Sequence, residues 1–201
     1  MKNYESIREQ AVEWAKTKLK PHRWEHTLGV ESTAIALARI YGEDEEKASI
    51  AALLHDTAKY LPDEESLKVL KGLDIVRQYP EVVEYPKLYH AFVGAEMVKE
   101  RFPELPEDII DSIRYHTTGR PDMSRLEKII FSADYIEPNR KRFPGLTEAR
   151  IRMFEDLDLG VYLIFEQTDR YLSNLGETPD YFRLTKESYD FMKVLVKNEK
   201  L

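Results

Sequence analysis

Cysteine is absent from the 201-residue chain, and this one absence removes disulfide frameworks, zinc–thiolate sites, iron–sulfur clusters and cysteine nucleophiles together. Any metal must therefore sit on nitrogen and oxygen. No stretch approaches the roughly eighteen unbroken apolar residues of a membrane span. The opening ten residues, Met1 to Gln10, lack a basic segment followed by an apolar one. A soluble, cytoplasmic protein with no membrane partner is expected. Basic charge is also in deficit: 30 Lys and Arg stand against 37 Asp and Glu, a formal charge of −7. That balance argues against a nucleic-acid partner, because such binding rests on neutralising phosphates. The deficit reverses locally between Arg114 and Arg142, where seven basic side chains meet four acidic ones. A small anionic ligand is expected there.

Strand alternation, internal repeats, low-complexity tracts and linkers are missing too, and what remains is helical periodicity. Ile7, Ala11, Trp14, Ala15 and Leu19 recur at three and four over Tyr4 to Leu19, and Lys20-Pro21 breaks the pattern. A second helix runs from about Arg23 to Tyr41, with Gly42 placed as its C-terminal cap. Glu43 to Glu46 put negative charge at the start of a third, where the dipole favours it, and Ile50 to Leu54 lead into His55-Asp56 at its end. Two short helices are expected between Asp63 and Pro86. His90 opens the next helix, Pro106 precedes another that reaches His116, and Leu126 to Ile136 carries Asp134. Glu148 to Leu157, Leu159 to Leu175 and Tyr181 to Leu195 complete the pattern. One all-α domain over 1–201 is the economical architecture, with a motif-bearing core at about 20–142 and C-terminal helices at 147–198 packed on it.

The chemistry concentrates at Ala51 to Lys59, A-A-L-L-H-D-T-A-K. A carboxylate beside an imidazole on a buried helix needs compensation, and a bound cation is the strongest available. His26, His90, His116 and Asp134 lie near helix ends or on apolar helices, and with His55 and Asp56 they supply enough nitrogen and oxygen for two divalent ions with positions open to water. Each has a bland alternative. His26 and His90 suit ordinary helix positions, and His116 is favoured by a helix C-terminus with no metal at all. Asp134 needs a partner, which an arginine would also provide. Lys59 would equally pair with Asp56 or Asp63. His22, beside Pro21, is expected to face solvent.

The ordered series His26, His55-Asp56 with Lys59, His90, His116 and Asp134 resembles the HD-domain metal-dependent phosphohydrolases. The flanks R-W-E-H-T-L-G-V, A-A-L-L-H-D-T-A-K, Y-H-T-T-G-R and S-A-D-Y-I-E-P-N-R are similar to those of the YqeK family of symmetrical bis(5′-nucleosyl)-tetraphosphatases. The resemblance covers roughly Arg23 to Arg142. It implies a helical bundle with a dinuclear, usually iron, site in its interior. His26, His55, Asp56 and Asp134 would hold one metal, His90 and His116 the second, and Asp56 would bridge. A bridging hydroxide would attack an inner phosphorus of diadenosine tetraphosphate and release two ADP. Lys59, Arg120 and Arg140 would meet the phosphate charge, while Tyr135 and Pro138 would shape the base pocket. A mononucleotide phosphatase, a phosphodiesterase and a non-catalytic nucleotide sensor are the alternatives. The aromatic helices Leu159 to Leu175 and Tyr181 to Leu195 are a candidate homodimer face.

Overall fold

The structure, a computed structural model, describes residues 4–174 and 182–198. Among these residues there is no strand; the elements are eleven α-helices and one 3-10 turn. The expected helix ends Leu175 and Tyr181 lie outside the described residues.

Three helices build the frame of the site. α1 (Tyr4–Lys18) leads into α2 (Pro21–Tyr41), where Pro21 takes the first helical position, its fixed φ suiting that place better than the break expected from the sequence. Gly42 ends α2 in the left-handed conformation at φ 67°, as expected of a cap without Cβ. α3 (Glu45–Leu54) starts on Asp44, whose side chain accepts from the backbone N–H groups of Glu46 and Lys47. All seven residues from Ala48 to Leu54 are buried, so α3 is apolar on every face and runs through the interior. It packs against α1, α2 and two later helices, α7 (Glu107–Arg114) and α8 (Arg125–Ile136).

The helix stops one residue before the His-Asp pair, not on it. His55 Nδ1 donates to the Ala52 carbonyl at 2.6 Å and Thr57 Oγ1 donates to that of Leu54 at 2.9 Å. Side chains thus satisfy carbonyls that a continuing helix would have used, and residues 55–60 follow as tight turns.

The rest encloses this frame. α4 (Asp63–Leu70), α5 (Asp74–Gln78) and the 3-10 turn Pro80–Glu84 cover one side. α6 (Pro86–Arg101) begins four residues before His90, because Pro86 supplies its first turn, so His90 lies inside the helix rather than opening it. α7 ends at Arg114, and His116 sits in the turn beyond. α9 (Leu146–Glu155), α10 (Leu157–Asn174) and α11 (Arg183–Asn198) start within two residues of the expected positions, and α10 packs against α8, α9 and α11. The main core joins Leu37, Ile50, Leu54, Ile113, Ile130 and Phe165 among others. A second cluster around Leu70, Phe92, Phe182 and Leu184 lies under α4 to α6. Each fully buried large aliphatic contributes about 1.5–3 kcal/mol, and together they hold the ends of α2, α3, α6, α7 and α8 around one point.

Candidate metal centre

At that point stand His26, His55, Asp56, His90, His116 and Asp134. All but Asp134 are buried. Asp56 is the hub. Its Oδ2 lies 3.2 Å from His55 Nε2 and 3.9 Å from His26 Nε2; its Oδ1 lies 3.2 Å from His90 Nε2 and 3.9 Å from His116 Nε2. Asp134 Oδ1 is 3.0 Å from His26 Nε2 and 3.9 Å from His55 Nε2. Two sets, His26 with His55 and Asp134, and His55 with Asp56 and His116, place their ligating atoms within 4.8 Å of one another.

Local backbone chemistry aims the rings. His116 Nδ1 donates to the Ile113 carbonyl at 2.7 Å, at the end of α7, as His55 does at the end of α3. In both rings the proton is held on Nδ1 and Nε2 is left to face the hub. The consequence is a set of buried polar atoms without hydrogen bonds: Nε2 of His26, His55 and His116, and both oxygens of Asp56. Such atoms are costly unless something else binds them. Convergent imidazole nitrogens and carboxylate oxygens are the donor set that divalent cations take, so the residues fit the metal that the sequence implies.

The electrostatics agree. Burial works against ionisation of Asp56, but His55 and His90 outweigh it and hold the carboxyl well below its usual range. For Asp134 burial is likewise overcome, by His26 and Arg140. Burial also opposes charge on His55, yet Asp56 raises it above the ordinary imidazole value. Burial, with His55 and His90 alongside, pushes His116 down to about 3. His90 is lowered mainly by burial.

Cations rim the cluster. Lys59 Nζ lies 3.1 Å from His90 Nε2 and 3.9 Å from Asp56 Oδ1. It reaches them from the turn after α3 rather than along a helical face, and burial holds its ammonium below the usual lysine value. Arg140 donates to the Asp134 carboxylate at 2.7 Å and to its carbonyl at 2.8 Å. Arg23 Nε is 2.5 Å from Asp56 Oδ2, out of hydrogen-bond alignment. Sequence reasoning missed Arg23, although its place three residues before His26 on α2 puts both on one face. Arg120 is engaged elsewhere: it grips the buried Glu127 at two points, 2.5 and 3.0 Å, and lies over Tyr115. Tyr135 donates to Gln167 at 3.1 Å and meets the edge of Phe143, and Pro138 is exposed. His22 is exposed, as expected, 3.0 Å from the Tyr60 hydroxyl. The basic stretch from Arg114 to Arg142 is thus largely paired within the protein, through Arg114 to Glu96, Arg120 to Glu127, Lys128 to Asp158 and Arg140 to Asp134.

A cavity of about 330 Å³ opens at the cluster between Lys59 and His90, with Ser66, Lys87 and Tyr89 along it. A larger one, about 640 Å³, lies on the far side of Phe92 and Tyr115 and is lined by none of the six residues.

The family model of the HD domain matches residues 23–139, a span that contains every residue of the cluster. The chain belongs to the HD domain family. The chain is 42% identical over 177 residues to the symmetrical bis(5′-nucleosyl)-tetraphosphatase of Bacillus subtilis (strain 168), covering 87% of this chain and 94% of the relative. A protein of the same name from Halalkalibacterium halodurans is 45% identical over 152 residues, covering 75% and 79%. A crystal structure from Clostridium acetobutylicum, of an HD superfamily hydrolase described as involved in NAD metabolism, matches with a TM-score of 0.85 at 36% identity. The match covers 93% of this chain and 97% of that one.

Proposed function

We infer that this HD domain is a metal-dependent phosphohydrolase that cleaves diadenosine tetraphosphate symmetrically into two ADP. One observation carries the mechanism: a buried carboxylate, Asp56, turns one oxygen to each of two histidine pairs, and no hydrogen bond from the described residues satisfies either oxygen. His26, His55, Asp56 and Asp134 are the proposed holders of one divalent cation, and His90 and His116 of a second, with Asp56 between them. Iron is the proposed identity. When bound, a cation pair lowers the pKa of water and neutralises charge on the phosphoryl oxygens.

The chain's own residues do the rest. Rings locked by the Ala52 and Ile113 carbonyls keep Nε2 fixed, so little reorganisation is needed on binding. Lys59, one-third exposed at the mouth of the smaller cavity, is placed to meet a phosphate oxygen. Arg140 and Arg23 stand beside Asp134 and Asp56 and share that duty as charge builds. Arg120 and Tyr135 are kept as outer substrate contacts, Arg120 reaching from the wall of the larger cavity. Cleavage at the centre of a symmetric substrate requires only that an inner phosphorus lie over the cluster.

The location proposed is the cytoplasm, which suits a chain without cysteine. Neither nucleic acid nor membrane is a proposed partner; no described helix is long and apolar enough to cross a membrane. A homodimer through α10 and α11 is supported by the exposed Tyr171 and Val194. The test of function is product analysis. Purified, metal-loaded protein should convert diadenosine tetraphosphate to ADP alone, whereas faster turnover of mononucleotides would assign a phosphatase and binding without turnover a sensor.

A further inference from the structure

Glu137 belongs to no part of the scheme above. It is 1% exposed, at the end of α8 and one helical turn beyond Asp134. Its Oε1 lies 3.0 Å from His26 Nδ1. Its Oε2 accepts the Asn139 backbone N–H at 2.6 Å, and its carbonyl accepts from Arg150 at 2.6 Å. The residue is thus anchored at its backbone carbonyl and at one carboxylate oxygen, with the other oxygen delivered to one imidazole. A buried carboxylate is costly unless paired, and His26 is the ring it pairs with.

A second observation is independent of the first. Gly29 follows His26 by three residues on α2, and a Cβ there would collide with Glu137 Oε2. Helix interiors disfavour glycine relative to alanine, so the missing side chain has a use: it makes room for the carboxylate. The other buried rings differ. His55 and His116 give Nδ1–H to neutral backbone carbonyls; only His26 of these three gives it to a carboxylate.

We propose that Glu137 is a positioning residue that keeps the proton of His26 on Nδ1 and strengthens Nε2 as an electron-pair donor to a cation, and that Gly29 exists to admit it. The proposal rests on the metal reading above. A carboxylate can only accept from the ring, so it allows one tautomer and raises the basicity of the other nitrogen. An amide can turn and donate, which allows the proton to move to Nε2 and closes that nitrogen to metal.

The experiment uses the full chain, stripped of metal, as wild type, Glu137→Gln and Gly29→Ala. Mn²⁺ is titrated and free ion is followed by electron paramagnetic resonance; separately, ¹⁵N-histidine NMR of the metal-free proteins reads the His26 tautomer. Expected are Mn²⁺ binding weaker by about 10–100-fold in both variants and a shift of His26 from Nδ1–H towards Nε2–H in Glu137→Gln. Wild-type affinity in Glu137→Gln, or an affinity loss with the His26 tautomer unchanged, overturns the proposal. Full affinity in Gly29→Ala overturns the role of the gap. If wild type itself binds no Mn²⁺, the metal reading fails, while the tautomer measurement still decides what Glu137 does to His26.

Discussion

Asp56 concentrates the chemistry of the molecule in two oxygen atoms, each within 3.2 Å of one imidazole nitrogen and 3.9 Å of another. Removing it takes away a carboxylate that touches both histidine pairs, so Asp56→Ala is expected to abolish turnover and metal binding together. Survival of turnover in that variant contradicts the assignment. Lys59 is different, since it approaches the cluster from the rim. Lys59→Ala is expected to retain metal content and lose rate, and metal loss would show that it props the site instead. Arg120 divides the same question in a third way. Its pair with the buried Glu127 predicts that Arg120→Ala destabilises the fold by about 1–3 kcal/mol, because a buried carboxylate loses its partner; an unchanged urea midpoint would return it to the substrate. At this scale the six residues that come together were legible because imidazoles and carboxylates are scarce in apolar helices. Arg23, Glu137 and the true partner of Arg120 were not. Arginine and glutamate are common on surfaces, and only the fold shows which of them face inward.

Two of the proposed ligands, His55 and His116, sit just beyond helix ends. α3 stops at Leu54 and α7 at Arg114, and the histidine just beyond each turns back to a carbonyl of the last turn. The sequence pattern located these helices well, since the periodicity of Ile50 to Leu54 and of Ile109 to Ile113 is strong. It extended both onto the histidine itself, because no Gly or Pro marks the stop; the signal is a side chain capturing a carbonyl, which periodicity does not register. Prolines led to the opposite displacement in α2 and α6, where Pro21 and Pro86 begin helices. α8 has a cap that can be tested. Ser124 accepts from the Glu127 N–H at 3.2 Å while Glu127 returns a bond to the Ser124 N–H at 2.7 Å. Ser124→Ala is expected to cost about 1 kcal/mol of stability, measured by chemical denaturation, and to leave the metal affinity of Asp134 near wild type. An affinity loss larger than the stability loss would show that the cap also sets the position of α8 at the site.

For the whole molecule, the site makes stability depend on pH. Folded His116 takes up a proton only near pH 3, while the unfolded ring does so near the ordinary imidazole value of 6.5. Between these values the unfolded state binds more protons, so metal-free protein loses stability as pH falls, by about 1.4 kcal/mol per unit at most from this one group. Asp56, held below its usual range, adds loss of the same sign at lower pH. His55 is shifted upward and acts in the other direction, its contribution fading as pH rises past 6.5. Urea midpoints of metal-free protein should therefore drop steadily from pH 6.5 to 4, and a flat profile would contradict the burial of an uncharged His116. The all-helical architecture was legible from periodicity alone, whereas the convergence of side chains from five helical segments on one cluster depends on packing between segments far apart in sequence. The central claim is that this convergence builds a metal centre that splits diadenosine tetraphosphate in the middle. Elemental analysis of the purified protein, coupled to chromatography of its products, tests it most directly. Expected are bound divalent metal, ADP as the sole nucleotide product, and loss of both in Asp56→Ala; ATP with AMP as products, or full turnover by metal-free protein, would contradict a metal centre that cleaves at the middle.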